Sequence, residues 1–562
     1  MTQQPLNNNS RRTFLKTISL LGGGILWGGQ TFCSQSAKNN TDSGMPDNKA
    51  DYVISAISSL IRVMPDDKLP ASNKIAVALA GNEYESFQIV IRAQQDISQV
   101  KVVMEPLVNA ANTLPEIKWY QVGYVKIDTF QGHPTPLIAA SQQPGWYPDP
   151  LLERESISLS ANWSHAIWCK VHAPAGTPPG VYNSTINIHI GNRVEKINVA
   201  VEVYAFSLPE RPSLPTLFPM SLDWVAQAYG TLTPAMKKKW MDFVADCRLS
   251  PTEMYINPAG TNGARAITPE EYLPFNERMN GFAIYPVTTS WQDRDLDASV
   301  LIERFESNRP YIDRLIANGT AAKGNGVFYG FDECEPAHFE TMKKVFAHVK
   351  QVYPDIPVAT TSMHIKSYEQ MEAMHIDILI LHIFEDIYNN NFADKIRQKG
   401  KKVWAYISLQ PYAPMPNWRI ENNPIEARIL LSAMAYHERY DGFLYWSLTQ
   451  YNKRNEKMPA PIKGNDPVTI EWSVTTPTEE YKWLHGDGIL LYPGINGPIG
   501  SIRLENIREG LEDYEYYQLL SQKKGPAAAM SAAGQLVTSA RQYEQDPQQL
   551  YKVRAQIAAA IG

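Results

Sequence analysis

Near residue 212 the hydrophobic pattern changes period, and this change constrains the fold more than any other feature of the chain. Before it, apolar and polar residues alternate. Ile75–Leu79, Ser86–Ile91, Trp168–Val171, Ser184–Ile188 and Val199–Val203 read as strands. Turn formers separate them at Ala80-Gly81-Asn82, Pro148-Asp149-Pro150 and Pro178-Pro179-Gly180. Many short strands without a long helix predict a β-sandwich over residues 51–212. Leu208-Pro209-Glu210-Arg211-Pro212 ends it, because proline suits neither a helix interior nor a central strand. Beyond residue 213, short apolar runs alternate with longer segments of helical period. The expected strands are Leu217–Leu222, Glu253–Asn257, Phe282–Val287, Gly326–Asp332, Pro357–Thr361, Ile376–Ile383, Lys402–Ser408 and Gly442–Leu448. Helical patterns such as His338–Tyr353 and Ile425–Tyr440 lie between them. The fold class is therefore a multidomain β plus α/β chain. Residues 213–562 form a (β/α)8 TIM-type barrel with a helical C-terminal end. An open doubly wound sheet fits less well, since no Gly-rich phosphate loop follows any strand.

Charge and cysteine content narrow the function. The 562 residues carry 52 Lys and Arg against 58 Asp and Glu, a net charge of −6. Such a chain has no overall electrostatic attraction to nucleic acid. Cys33, Cys169, Cys247 and Cys334 are too sparse for a disulfide framework and contain no CxxC pair. The histidines show no HExxH or other ligand spacing, so neither a metal nor a cofactor is expected. With 13 Trp and 29 Tyr, the chain has aromatic surface either for large cores or for flat, amphipathic ligands such as sugars.

No acidic residue precedes Asp42. Ser10-Arg11-Arg12-Thr13-Phe14-Leu15-Lys16 leads into an apolar, Gly-rich run from Thr17 to Gly29. Residues 1–33 thus read as a twin-arginine-type signal peptide. Residues 34–50 read as a disordered spacer. The expected location is periplasmic or extracellular, for a bacterial protein. Gln30-Thr31-Phe32-Cys33 is a poor lipoprotein signal, which leaves the cleavage site and lipidation of Cys33 open. No later apolar run is long enough to span a membrane.

In a barrel, chemistry belongs at the C-terminal ends of the strands. One expected strand end is acidic: Phe328-Tyr329-Gly330-Phe331-Asp332-Glu333-Cys334-Glu335-Pro336. Glu335 suits a helix cap beside Pro336. Asp332 and Glu333 sit at the strand's own end and read as catalytic. Two carboxylates at a barrel mouth suggest glycoside hydrolysis. A second carboxylate would ordinarily serve as nucleophile, yet the strands ending near Ser408 and Leu448 offer none. Glu385 and Asp386 are the remaining acids near a strand end. A substrate with a 2-acetamido group removes the need, because its own carbonyl oxygen can attack the anomeric carbon. Adjacent Asp and Glu can then share the work, provided the strand end twists so that both reach the pocket. The acid among them needs a raised pKa.

The pattern resembles glycoside hydrolase family 123. In the front part the resemblance rests on Asn82-Glu83-Tyr84-Glu85-Ser86-Phe87-Gln88 and Trp146-Tyr147-Pro148-Asp149-Pro150-Leu151. In the barrel it rests on Tyr329-Gly330-Phe331-Asp332-Glu333 and Gly442-Phe443-Leu444-Tyr445-Trp446. Near the end it rests on Gly488–Gly494 and on the run from Ser501 to Tyr516. The resemblance implies a β-sandwich before a (β/α)8 barrel, and exo-acting β-N-acetylgalactosaminidase activity by the substrate-assisted, retaining route. It assigns the polarising carboxylate to Asp332 and the acid/base to Glu333. The choice of GalNAc over GlcNAc comes from the resemblance alone. Trp446 is a candidate wall for the acetamido methyl or the sugar face. Tyr406 is a candidate donor to the acetamido oxygen, and His382 a candidate contact for a sugar hydroxyl. Trp446 and Tyr406 would be equally at home in a core, and a lone histidine such as His382 is more often structural. Arg503 to Tyr516 reads as a helix anchored by ion pairs. The expected partner is a glycan with a terminal 2-acetamido sugar. Two other readings stay open: a two-carboxylate glycosidase of different specificity using Glu385 or Asp386, and a silent glycan-binding protein. The oligomeric state is also open.

Overall fold

The computed structural model of the chain describes residues 51–110, 112–130, 142–254, 266–321, 325–384, 387–451, 460–470 and 485–562. The expected signal and spacer lie outside these residues. The first part is β-rich. Its strands are β1 (Tyr52–Ser58), β2 (Lys74–Gly81), β3 (Glu83–Ala93), β4 (Ile97–Met104), β5 (Val108–Asn109) and β6 (Asn112–Thr113). They continue with β7 (Lys118–Ile127), β8 (Gly145–Leu152), β9 (Ile157–Leu159), β10 (Ser164–Ala173), β11 (Gly180–Ile190) and β12 (Arg193–Ser207). All five expected strands fall within β2, β3, β10, β11 and β12. One sheet runs β1-β3-β10-β7, with β8 against β7; the other runs β2-β12-β11-β4-β9. Phe87, Ile89 and Ile91 of β3 share a core with Ile186, Ile188, Val199 and Val201 of the second sheet. The register places Ile89 between Ala56 and Ile167. β3 is buried on its other face as well, where Val90 and Trp168 pack with Ile502 from the far end of the chain. Burial on both faces explains why Phe87–Ile91 is richer in apolar residues than simple alternation requires.

The second part holds β13 (Thr216–Leu217), β14 (Phe282–Pro286), β15 (Gly326–Tyr329), β16 (Val358–Thr361), β17 (Ile378–His382), β18 (Lys402–Ile407) and β19 (Phe443–Tyr445). All pair in parallel, in the order β13-β19-β18-β17-β16-β15-β14. The two edges bend toward each other into a nearly closed barrel. Thr216 N–H donates to Asn280 C=O at 2.9 Å. Gly281 has φ +91, and a Cβ there would lie 2.6 Å from the Thr216 carbonyl oxygen. Thr252 bridges the seam: its carbonyl accepts from Met220 N–H and its hydroxyl from Ala283 N–H, both at 3.0 Å. The expected strand Glu253–Asn257 falls mostly outside the described residues. Leu217, Ala283, Val327, Tyr329, Ala359, Ile380, Trp404, Tyr406 and Leu444 fill the barrel interior, with every strand contributing.

Several expected elements are shorter or broken, among them Gly442–Leu448, of which only Phe443–Tyr445 pairs as β19. Leu217–Leu222 reduces to β13, because Pro219 has no N–H for a ladder and Leu222 instead begins a helix. Gly326–Asp332 stops at Tyr329, where the backbone turns left-handed at Phe331, φ 57. Ile425–Tyr440 starts as a helix over Pro424–Ile429, widens into a π-turn over Leu430–Met434, and resumes over Ala435–His437.

Helices of eight or more described residues are α1 (Leu222–Tyr229), α2 (Pro234–Asp246), α3 (Ala298–Ser307), α4 (Arg309–Ala317), α5 (Phe339–Val352), α6 (Asn390–Arg397), α7 (Ile502–Lys524), α8 (Pro526–Ala533) and α9 (Pro547–Ile561). The pattern His338–Tyr353 becomes α5. Between β19 and α7, β20 (Thr469–Ile470) crosses back to pair with β7. α7 is highly charged yet buried from Ile502 to Tyr517. Its charges pair as the sequence suggested, and across the seam between the two parts. Arg428 donates to Glu85 of β3 at 2.9 Å, to Glu509 at 2.8 Å and to Asp513 at 2.7 Å. Arg554 of α9 pairs with Glu83, Glu85 and Asp513. No helix among the described residues is long and apolar enough to cross a membrane.

Candidate active site

The site begins where β15 ends. Phe331 (φ 57) and Glu333 (φ 48) both adopt the left-handed conformation, which costs a residue with a Cβ about 1–3 kcal/mol. Neighbouring strand ends hold this strained turn. Thr288, just past β14, accepts from Phe331 N–H at 2.9 Å. Thr360 of β16 donates to Phe331 C=O at 3.0 Å. Arg294, itself buried, donates to the carbonyls of Asp332 (3.3 Å) and Glu333 (2.8 Å). The turn gives the strand end a sharp twist at the two adjacent carboxylates. Glu335 leads into the short helix over Pro336–His338: its carbonyl accepts from His338 N–H at 2.9 Å and its N–H donates to His338 Nδ1 at 3.0 Å.

The two carboxyls sit in different settings. Asp332 Oδ1 accepts from Tyr329 O–H at 2.6 Å and from Thr361 O–H at 2.7 Å. Both donors load the same oxygen. Glu333 Oε1 accepts from Tyr406 O–H at 2.9 Å. Glu333 reaches solvent at the mouth, yet surrounding protein desolvates its carboxyl. That desolvation comes first, and the neighbouring Asp332 charge second, in raising its pKa above the ordinary Glu value. The Tyr406 hydrogen bond and the more distant Arg294 charge oppose the rise without cancelling it. The pair thus has the asymmetry of an acid beside a charge stabiliser.

Of the other sequence candidates, Tyr406 and His382 join this cluster. Tyr406 is 7% exposed, and its phenol stays protonated because burial and both carboxylates push its pKa up. His382 is 5% exposed and meets the Tyr406 ring edge-on at 4.6 Å. Its Nδ1 accepts from Phe384 N–H at 2.9 Å, and burial pushes its pKa down to about 3, so the ring is neutral. His382 therefore buttresses Tyr406. Trp446 lies just past β19 and is half-buried. Its indole N–H donates to Asp487 Oδ1 at 3.1 Å, an oxygen that also accepts from Tyr445 O–H at 3.2 Å. The ring lies over Gly488, where a Cβ would come within 2.5 Å of it. Burial raises the Asp487 pKa to about 6. Glu385 and Asp386 lie outside the described residues.

Sequence reasoning missed Arg294, Thr288, Thr360, Thr361 and Asp487. Thr360-Thr361-Ser362 at the end of β16 carried a faint signal, three hydroxyls at the next strand end. Arg294 and Asp487 lie in loops and gave none.

No curated protein matches the chain. Among solved structures, a family 123 glycoside hydrolase from Clostridium perfringens, described for glycolipid glycan hydrolysis, superposes with a TM-score of 0.64 at 14% identity. The match covers 91% of this chain and 97% of that one, and supports the fold. A β-glucuronidase from Parabacteroides merdae matches 72% of this chain and 50% of its own at 10% identity, with a TM-score of only 0.26. The catalytic-domain model of glycoside hydrolase family 123 matches residues 310–520, a span that includes the carboxylate pair and most of the barrel. The N-terminal-domain model of the same family matches residues 68–190. The two matches fall on the barrel and the β-rich part in the order found here, and the chain belongs to glycoside hydrolase family 123.

Proposed function

We propose that this glycoside hydrolase removes terminal β-linked N-acetylgalactosamine from glycans, acting at the chain end with retention and using the sugar's own acetamido group as nucleophile. In this reading a β-sandwich (51–212) precedes a (β/α)8 barrel. The observation that carries it is the adjacency of Asp332 and Glu333 on one strained turn, with the Glu333 pKa raised and Asp332 held by two donors. Protonated Glu333 gives its proton to the glycosidic oxygen as the C1–O bond breaks. The acetamido carbonyl oxygen closes onto C1, forming an oxazolinium. Ionised Asp332 accepts from the acetamido N–H and faces the positive charge. Glu333, now a carboxylate, takes a proton from water as that water opens the ring at C1, which restores the β configuration. Trp446 supplies an apolar wall for the acetamido group.

A panel of nitrophenyl glycosides tests the reading: turnover is expected on 2-acetamido sugars and not on plain hexosides. Glu333→Gln should slow substrates with poor leaving groups by about 10²–10⁴-fold and nitrophenyl substrates less. Asp332→Asn should slow both kinds alike, because ring closure is impaired in each. A covalent sugar ester on a side chain, or inverted product, would overturn the acetamido nucleophile in favour of a two-carboxylate route.

A further inference from the structure

One hydroxyl touches both members of the carboxylate pair. Thr361, the last residue of β16, is 1% exposed. Its Oγ1 donates to Asp332 Oδ1 at 2.7 Å and accepts from Glu333 N–H at 2.7 Å. Its carbonyl accepts from Cys334 N–H at 3.3 Å, so the same residue also holds the exit of the turn. A hydroxyl has one proton to give and lone pairs to receive. Here the proton goes to the charge stabiliser, and a lone pair takes the backbone N–H of the acid. We infer that Thr361 is a positioning residue that fixes Asp332 and Glu333 relative to each other, so that charge stabilisation and proton donation act on one bound sugar. The inference rests on the function proposed above. Tyr329 shares the load on Asp332 but makes no contact with the Glu333 backbone among its hydrogen bonds to described residues, which separates the two roles.

The geometry distinguishes Thr361→Val from Thr361→Ser. Valine keeps the volume and loses the hydroxyl; serine keeps the hydroxyl. Thr361→Val should lower kcat by about 10–100-fold with KM little changed, as misplacing a reacting group by about an ångström does. It should act on nitrophenyl and poor leaving groups alike. Thr361→Ser should stay within about threefold of the parent, by retaining the same hydrogen bonds. The deciding measurement is a double-mutant cycle with Asp332→Asn. If Thr361 works through Asp332, adding Thr361→Val to Asp332→Asn should cost less than about threefold more, well below its cost alone. Multiplicative losses, or a serine variant as poor as the valine one, would overturn the inference. Binding of a thiazoline mimic of the oxazolinium gives a second readout: Thr361→Val should weaken it while leaving affinity for the free product sugar unchanged. Equal weakening of both would point to a merely structural role and overturn the inference. The cycle is run on whichever glycoside the parent enzyme cleaves. A failure of the substrate assignment thus shows in the parent's panel, and a failure of this inference shows in the cycle. A parent inert on every glycoside would overturn both.

Discussion

Opposed influences act on the Glu333 proton, and each comes from a nameable neighbour. Desolvation and the Asp332 charge favour the protonated acid; the Tyr406 hydroxyl and Arg294 favour the carboxylate. An enzyme that needs the acid should lose kcat/KM as pH rises through that raised pKa. Tyr406→Phe removes a donor to the ionised form, so the alkaline limb should move to higher pH. Asp332→Asn removes the repulsion, so in that variant the limb should move to lower pH. Two pH–rate profiles check this, and limbs that stay put in both variants would unseat Glu333 as the titrating group. His382 should leave no trace of its own, because burial keeps it neutral down to about 3.

At the scale of elements, the two edges of the barrel sheet approach each other at β13 and β14. Gly281 stands in the left-handed region against the Thr216 backbone, so alanine there meets both strain and a clash with atoms that cannot rotate away. Gly281→Ala should destabilise by about 1–3 kcal/mol in urea unfolding. Gly319→Ala shares the positive φ but faces open space, and should cost less. The same comparison shows what sequence can signal. β3, β10, β11 and β12 were legible because alternation and turn residues agree there. The barrel strands were legible as apolar runs, but their ends were not. A phenylalanine at φ 57 gives no more local warning than one in a strand, so the sequence alone reads as a strand past Phe331 to Asp332. Asp332 and Glu333 stood out as acids at the end of an apolar run. Thr361 did not, because threonine is an ordinary strand residue and its role depends on a neighbour 28 positions away. Asp487 meets Trp446 across 41 positions, a separation that no local pattern encodes.

For the whole molecule, the largest electrostatic commitment lies away from the site. Arg428 is fully buried and surrounded by Glu85, Glu509 and Asp513, while Arg554 and Arg508 meet the other carboxylates nearby. Removing one partner from such a cluster costs far more than any single contact adds, because the remaining charges stay buried. Arg428→Met should therefore destabilise the protein by about 3–5 kcal/mol in chemical unfolding. Adding Glu509→Gln should recover part of that loss, since it removes one of the stranded carboxylates. Full additivity of the two changes would mean that the charges do not act as a set. The network draws on β3, on the helix over Pro424–Ile429, on α7 and on α9, four stretches far apart in the chain. Arg428, Arg508 and Arg554 all lie on the second side of the seam, and their acids come from both sides, Glu83 and Glu85 from the first. A chimera that took its first half from a cousin would have to bring carboxylates matching Glu83 and Glu85, or leave two buried arginines short of part of their countercharge. The two halves are therefore exchangeable only as a matched set.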